Sequence, residues 1–222
     1  MSHTKGALAA LVVAGAAAAA PVMAQDSGYG LHGEAQLMSR YVSRGYAYGE
    51  DPALALNLEI TKGDAFVGIR AAQVDFGPFY QPDDLEFMWY AGMRPTFGRL
   101  SLYVSALAEY FYPANSGFVT GELVVAPTYA FSDTVMGGLQ LSWITNGEIS
   151  LQRYAAAWGR YALTPQTGLS AGIGTYFGDN AEDAHWYVAV DHHIDANLSL
   201  KLQYDDAYLD EDFLTVTASY RF

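Results

Sequence analysis

The sequence predicts an all-β fold: a single transmembrane, antiparallel up-and-down β-barrel of about 12 strands, preceded by a cleaved signal peptide. Three observations carry this expectation. Apolar and polar side chains alternate with a strict two-residue period through most of the chain after Ala24. The alternating segments are joined by connections that are by turns longer and shorter. Aromatic residues, 14% of the chain, gather at segment ends.

The leader comes first. Lys5 gives a weakly basic start, Gly6 to Ala20 is an unbroken run of small and apolar residues, and Pro21-Val22-Met23-Ala24 supplies a small-residue cleavage site. The run is too short and too alanine-rich for a spanning helix. The expected organisation is therefore residues 1–24 as signal peptide and 25–222 as one barrel domain. Cysteine is absent, so neither disulfides nor thiolate-bound metal contribute, and no cofactor or metal is expected. With 24 acidic against 11 basic residues, a net charge of −13, the chain is unsuited to nucleic acid.

Twelve segments follow, at about 31–46, 53–62, 65–76, 84–97, 100–111, 119–131, 134–145, 150–162, 167–177, 184–194, 197–205 and 212–222. Each reaches the roughly 9–11 residues that a tilted strand needs to cross a bilayer. Leu54, Leu56, Leu58 and Ile60 alternate with Ala53, Ala55, Asn57 and Glu59. Leu85, Phe87, Trp89, Ala91 and Met93 alternate with Glu86, Met88, Tyr90 and Gly92. In the last segment Leu214, Val216, Ala218, Tyr220 and Phe222 alternate with Thr215, Thr217, Ser219 and Arg221.

Short turns at 63–64, 98–99, 132–133, 164–166 and 195–196 alternate with longer connections at 47–52, 78–83, 112–118, 178–183 and 206–211; the fourth connection, at 146–148, is tight. Outer-membrane barrels have short periplasmic turns and longer outer loops, and an even strand count returns both termini to the periplasm. Phe222, ending an apolar alternating strand, is the expected assembly signal read by the barrel-assembly machinery.

Two aromatic girdles are expected. Tyr46, Phe76, Phe79, Tyr80, Tyr110, Phe111, Tyr112, Trp143, Tyr176, Phe177 and Tyr204 lie near the outer ends. Phe66, Phe97, Tyr129, Phe131, Tyr161, Tyr220 and Phe222 lie near the periplasmic ends. The outer loops carry Glu50, Asp51, Asp83, Asp84, Glu148, Asp179, Glu182, Asp183, Asp206, Asp210 and Glu211. That acidity reads as a solvated face with mild preference for cations; the 205–212 stretch has oxygens for calcium but lacks an EF-hand ligand order.

If the aliphatic faces meet lipid, their alternates line a lumen. The expected lining is Glu34, Arg40 and Arg44 from the first strand, then Glu59, Glu86, Arg94, Glu109, Glu122, Asp191, Lys201 and Arg221. Arg70, Arg153 and Arg160 fall on strands without clean alternation, and either face is open to them. A lumen lined by both signs suits a narrow passive channel for small polar solutes or ions. The same charges suit a salt-bridged plug, which would make the barrel a non-conducting structural or surface-interaction protein. A lipid-modifying enzyme is the third class. Ser142, His185, Asp191, His192 and His193 are its candidate residues, but alternation sends His192 to the lipid face, and no nucleophile elbow is present. An enzyme is not expected. The expected partners are outer-membrane lipid and lipopolysaccharide, the assembly machinery, and small polar solutes or cations.

Four segments resemble one known family. Ser39-Arg40-Tyr41-Val42-Ser43-Arg44-Gly45 with Pro52-Ala53-Leu54, Phe66-Val67-Gly68 leading to Val74-Asp75-Phe76, Leu85-Glu86-Phe87 with Tyr90-Ala91-Gly92, and Tyr110-Phe111-Tyr112-Pro113 are similar to the opening strands of the TorF family of proteobacterial porins. The resemblance covers residues 31–125 and implies an outer-membrane barrel and porin activity. Arg40 departs from the family, which commonly has an aspartate there.

Overall fold

The computed structural model describes residues 28–74, 85–112, 120–145, 151–177, 184–206 and 212–222. It is an all-β, closed, antiparallel barrel of twelve strands. In chain order these are β1 Tyr29–Met38, β2 Ala53–Lys62, β3 Ala65–Gln73, β4 Leu85–Met93, β5 Leu100–Tyr112, β6 Thr120–Ala130, β7 Val135–Thr145, β8 Leu151–Ala162, β9 Thr167–Phe177, β10 Ala184–His193, β11 Leu198–Asp206 and β12 Asp212–Arg221. Each pairs with its chain neighbours, and β1 closes the cylinder on β12 with Glu34 opposite Arg221 and Met38 opposite Thr217. Beyond β12, Phe222 continues the seam: its carbonyl accepts the N–H of Gly33 at 2.8 Å and its N–H donates to the Gly33 carbonyl at 3.0 Å.

The turns at the terminal end are tight for local reasons. Gly63 and Gly98 take positive φ (57° and 63°) in two-residue turns, where only glycine is unstrained. At the three other turns a side-chain oxygen closes the loop. Ser132 accepts the N–H groups of Thr134 and Val135, Thr164 those of Gln166 and Thr167, and Asp195 those of Asn197 and Leu198. The two backbone donors also hold the Asp195 carboxyl below its ordinary pKa.

The alternation sorts the wall. Leu31, Leu58, Ile60, Val67, Trp89, Leu123, Leu141, Ile173, Val188, Leu202, Leu214 and Val216 are all exposed, and all point outward. A water-soluble domain would not leave so continuous an apolar surface uncovered, whereas a membrane barrel presents it to lipid. Outward aromatics flank the belt at both ends: Tyr112, Trp143, Phe177 and Trp186 at one, Tyr29, Phe97, Tyr129, Phe131, Tyr161 and Tyr220 at the other.

Three expectations are corrected. The first strand ends at Met38 instead of running to 46. Residues 42–43 and 46–47 instead pair with each other as a hairpin of their own, so Arg40 and Arg44 sit in the first connection and not on β1. The fourth strand does not run unbroken to 97. It ends at Met93, and after Arg94-Pro95 only Thr96–Phe97 rejoins the sheet; proline lacks the N–H that a continuous ladder requires. Among the expected girdle residues, Phe66 is buried inside, and Tyr46, Phe111 and Tyr176 turn inward onto lumenal rings. Phe76, Phe79 and Tyr80 of the same girdle, and the signal peptide, lie outside the described residues.

Gly92 marks the tightest approach within the wall. A Cβ there would overlap the Val104 carbonyl oxygen and crowd the Ser105 backbone, which cannot swing aside as a side chain could. Gly92→Ala is expected to cost about 1–3 kcal/mol in urea unfolding of the refolded barrel. Gly159→Ala, whose Cβ would meet nothing closer than 3.9 Å, should stay within about 0.5 kcal/mol of the parent. Equal midpoints for the two variants would refute the packing argument.

Candidate functional site: a hairpin-constricted lumen

Twelve strands about 4.8 Å apart, tilted by about 40°, put the backbone on a cylinder of about 12 Å radius. Wall side chains alone leave a gap along the axis of such a cylinder. The first connection fills much of it on the outer side. Tyr41 is buried, packing with Met38, Ala53, Ala55, Ala72 and Val74, and Tyr48 and Phe111 close over this cluster. The Tyr48 N–H donates to the Tyr41 carbonyl at 2.8 Å and their rings lie 4.9 Å apart, so the connection is folded back on itself.

At its tip is a two-residue turn, Arg44-Gly45, between the paired residues Ser43 and Tyr46. Both turn residues have positive φ, 51° and 80°, as a type I′ turn requires. Arginine is an unfavourable choice at that position, and the strain is offset by what its side chain reaches. Arg44 forms a two-pronged ion pair with Glu122 on β6, at 2.5 and 3.2 Å. Its guanidinium also lies 4.7 Å from the centre of the Tyr154 ring on β8, and neighbouring Tyr46 packs on Tyr176 of β9. The hairpin leaves the wall between β1 and β2 and is clamped to the opposite side.

Several of the remaining lumenal charges are also paired. Glu59 on β2 takes both guanidinium nitrogens of Arg94 at 2.8 and 2.5 Å. Glu86 on β4, fully buried, takes Arg70 of β3 at 2.9 Å, while the same Arg70 nitrogen donates to the Tyr41 hydroxyl at 2.8 Å. Asp191 on β10 takes Arg160 of β8 at 2.7 and 3.2 Å, and Glu34 takes Arg221 across the seam at 3.3 Å. Glu109 of β5 lies diagonally across from Glu86 of β4 on the same inward face. Lys201 donates to Gln203 at 2.9 Å, which in turn donates to Asp205 at 2.7 Å.

Every expected lining residue thus lies on the inside, with Arg40 and Arg44 brought there by the hairpin. Arg70 and Arg160 join them. Arg153 stands on the lipid-facing register of β8 opposite Trp143 and Phe177. Sequence alternation could have placed Arg70, because Phe66, Gly68 and Ala72 share its face and are buried. The partner of each arginine is set by strand register, which alternation does not encode.

Below the hairpin a cavity of about 580 Å³ opens on the β8–β12 side. It extends from Arg40, Tyr41 and Arg70 down to Arg221 and His193 at the periplasmic end. Thr215, Thr217 and Ser219 of β12 line one wall.

The enzyme candidates are dispersed. Ser142 on β7 is fully buried and accepts from Gln140 at 3.1 Å; His185 on β10 meets the Tyr154 hydroxyl at 2.9 Å. Three strand spacings, roughly 14 Å along the wall, separate β7 from β10. Asp191 is engaged by Arg160 and lies 3.9 Å from His193. Among the described residues no group of three or more histidine, aspartate or glutamate side chains could hold a metal ion. The calcium expectation for 205–212 falls mostly outside them.

Removing Arg70 would strand a fully buried carboxylate. Arg70→Met is expected to destabilise the barrel by about 3–5 kcal/mol, and adding Glu86→Gln should recover most of that loss. Unfolding midpoints of the two single variants and the double variant measure the coupling; simple additivity would show that the pair contributes nothing as a pair.

No protein-family model matches the chain, and no curated relative matches it. Solved structures do. The KdgM porin, solved in complex with disordered oligogalacturonate, superposes with a TM-score of 0.63 at 8% identity over 86% of this chain and 98% of its own. The NanC porin gives 0.53 at 7% identity over 86% and 97%. Omp33, an outer-membrane protein of Acinetobacter baumannii, gives 0.53 at 11% over 87% and 98%. At these identities the likeness establishes the fold. Together with the apolar exterior and polar interior, it makes this chain a twelve-stranded barrel of the porin-like kind found in bacterial outer membranes.

Proposed function

We propose that the protein is a narrow passive channel for small polar solutes or ions, a porin of TorF type, exported by cleavage after Ala24. The observation that carries this reading is the hairpin clamp. A loop folded into the lumen and pinned to the far wall narrows a passage without filling it, and a polar cavity lies directly beneath. A purely structural barrel has no need of a polar vestibule of that size. The outer-membrane lipid and lipopolysaccharide around the apolar belt, and the assembly machinery meeting the Phe222 end, belong to the same reading. Catalysis is not part of it, since the serine and histidine candidates sit on separate strands with other partners. The cation preference expected from the outer loops rests on acidic residues that lie mostly outside the described ones; of them Glu50, Asp51 and Asp206 are described.

Planar-bilayer recording of the refolded protein tests the channel. Discrete openings are expected, and Arg44→Met, by releasing the hairpin, should raise the unitary conductance at least about two-fold by widening the constriction. Arg153→Met, on the lipid face, should leave it unchanged. Silence from the parent and from Arg44→Met alike would favour the non-conducting barrel.

A further inference from the structure

The lipid-facing register of the barrel is almost free of charge. Among the described strand residues, its acidic and basic side chains are Lys62 at the periplasmic end and Arg153, Asp206 and Asp212 at the outer end. Lys62 lies over the Tyr29 ring at 4.4 Å and donates to its hydroxyl at 3.1 Å. Asp206 and Asp212 face each other across β11 and β12. Arg153 is therefore the one outward cation at the outer end of these strands, and no described residue forms an ion pair with it.

A guanidinium in that register is unfavourable against hydrocarbon and tolerated only near the headgroups. Its neighbours hold it there. Trp143 of β7 and Phe177 of β9 stand directly opposite it on either side, at Cβ separations of about 4.5–5.5 Å. Both rings are exposed on the outer girdle, the level of the membrane interface. The anionic group available at that level is headgroup phosphate, which a guanidinium takes through two parallel hydrogen bonds.

The strand below Arg153 is shaped for the rest of a lipid. Down β8 the next outward positions are Ala155, Ala157 and Gly159, with Leu139 and Leu141 of β7 on one flank and Ile173 of β9 on the other. The wall's own packing does not demand a glycine at 159, where an added Cβ would meet nothing closer than 3.9 Å. There the trough enters an apolar recess of about 690 Å³, with Tyr161, Leu169, Ala171 and Val188 in its lining. From residue 153 to 159 is about 20 Å of strand, which at a tilt of about 40° is about 15 Å of depth. That is half of a hydrocarbon core about 30 Å thick. A cation at headgroup height and a recess one leaflet deeper match a single lipid standing in the outer leaflet.

We propose that the face of β7 to β9 binds one phosphorylated glycolipid of the outer leaflet, lipid A, with Arg153 holding a phosphate and the β8 trough seating an acyl chain. The site gives the lipopolysaccharide partnership a definite place on the wall, and it rests on that part of the reading above and not on conduction. The opposed carboxylates of Asp206 and Asp212 repel the same headgroup, so the contact is one-sided.

Native mass spectrometry of the full refolded barrel in detergent, with purified lipid A as the probe, tests the site. A one-to-one adduct is expected, weakened about ten-fold in Arg153→Gln by the loss of a charged hydrogen-bonded contact. Arg153→Lys should lose less, and Lys62→Gln, at the other end, should bind as the parent does. Ala157→Phe, which fills the trough and leaves the cation, should also lose affinity. Dephosphorylated lipid A should bind the parent about ten-fold more weakly than lipid A and should not distinguish the parent from Arg153→Gln. Heat-modifiable electrophoretic mobility establishes that each variant is folded. Undiminished lipid A binding by folded Arg153→Gln would overturn the site. Phosphatidylglycerol binding as tightly as lipid A would overturn the choice of lipid, and so would inorganic phosphate displacing lipid A at equal concentration. Binding is read without conductance, so the two readings fail separately. A barrel silent in planar bilayers that binds lipid A in this way overturns the channel and leaves the site; openings without lipid A binding do the reverse.

Discussion

In a hydrocarbon environment no water satisfies a free peptide group, and that single constraint organises this molecule. Every strand must find partners on both sides, so the sheet has to close, and β1 must meet β12. Closure divides side chains into two sets with no intermediate. The outward set faces lipid and is aliphatic, edged by aromatics. The inward set is sealed from lipid and carries the charge. Phe222 belongs to this logic, since its backbone exchanges both hydrogen bonds with Gly33 and extends the closing seam by one more pair.

Sealing charge inside a barrel creates a second requirement. An unpaired ion there is poorly solvated, so arginines and carboxylates are matched across strands: β2 with the end of β4, β3 with β4, β8 with β10, β1 with β12. Such pairs contribute little net stability over well-packed apolar groups, but losing one partner is expensive. They therefore fix shape more than they add strength. The hairpin takes the same principle away from the wall. Glu122 sits near the outer end of β6 with no strand-borne arginine beside it, and Arg44 arrives from the opposite side of the lumen to meet it. That a residue other than glycine, asparagine or aspartate occupies a positive-φ turn position is intelligible only through this contact.

Two-residue periodicity made the exterior legible, because lipid enforces it at every step. Leu54 to Ile60 and Leu214 to Val216 are read correctly from pattern alone, and so is the inward direction of Glu59, Glu86, Glu122 and Arg221. The first strand shows where pattern fails. Residues 39–46 have strand-like composition and do form extended pairs, but with each other, and nothing in their alternation says that the chain turns inward at Met38. The cue was the Arg44-Gly45 step, a hairpin-turn dipeptide in a stretch otherwise read as continuous strand. The aromatics misled for a related reason. Phe66 and Tyr176 lie at strand ends, as girdle residues do, yet Phe66 stacks on lumenal Tyr103 under Arg94 and Tyr176 packs on Tyr154 beneath Arg44's guanidinium. Position along a strand gives height in the membrane; only the parity of the face gives inside or outside.

The distribution of charge sharpens what the composition implied. A net charge of −13 suggests a molecule that attracts cations everywhere. Inside, charge is a local quantity. Three of the glutamates of β2 to β6, Glu59, Glu86 and Glu122, are met by Arg94, Arg70 and the incoming Arg44, so the hairpin uses its cation to balance the acidic side. On the opposite side Lys201 stands across from Asp191 in register, and Arg40 lies over the Phe213 ring. A lumen in which cations and carboxylates are matched strand by strand is not described by a bulk charge of either sign. In a barrel of this width, selectivity follows from where the charges lie along the axis and not from how many the chain contains.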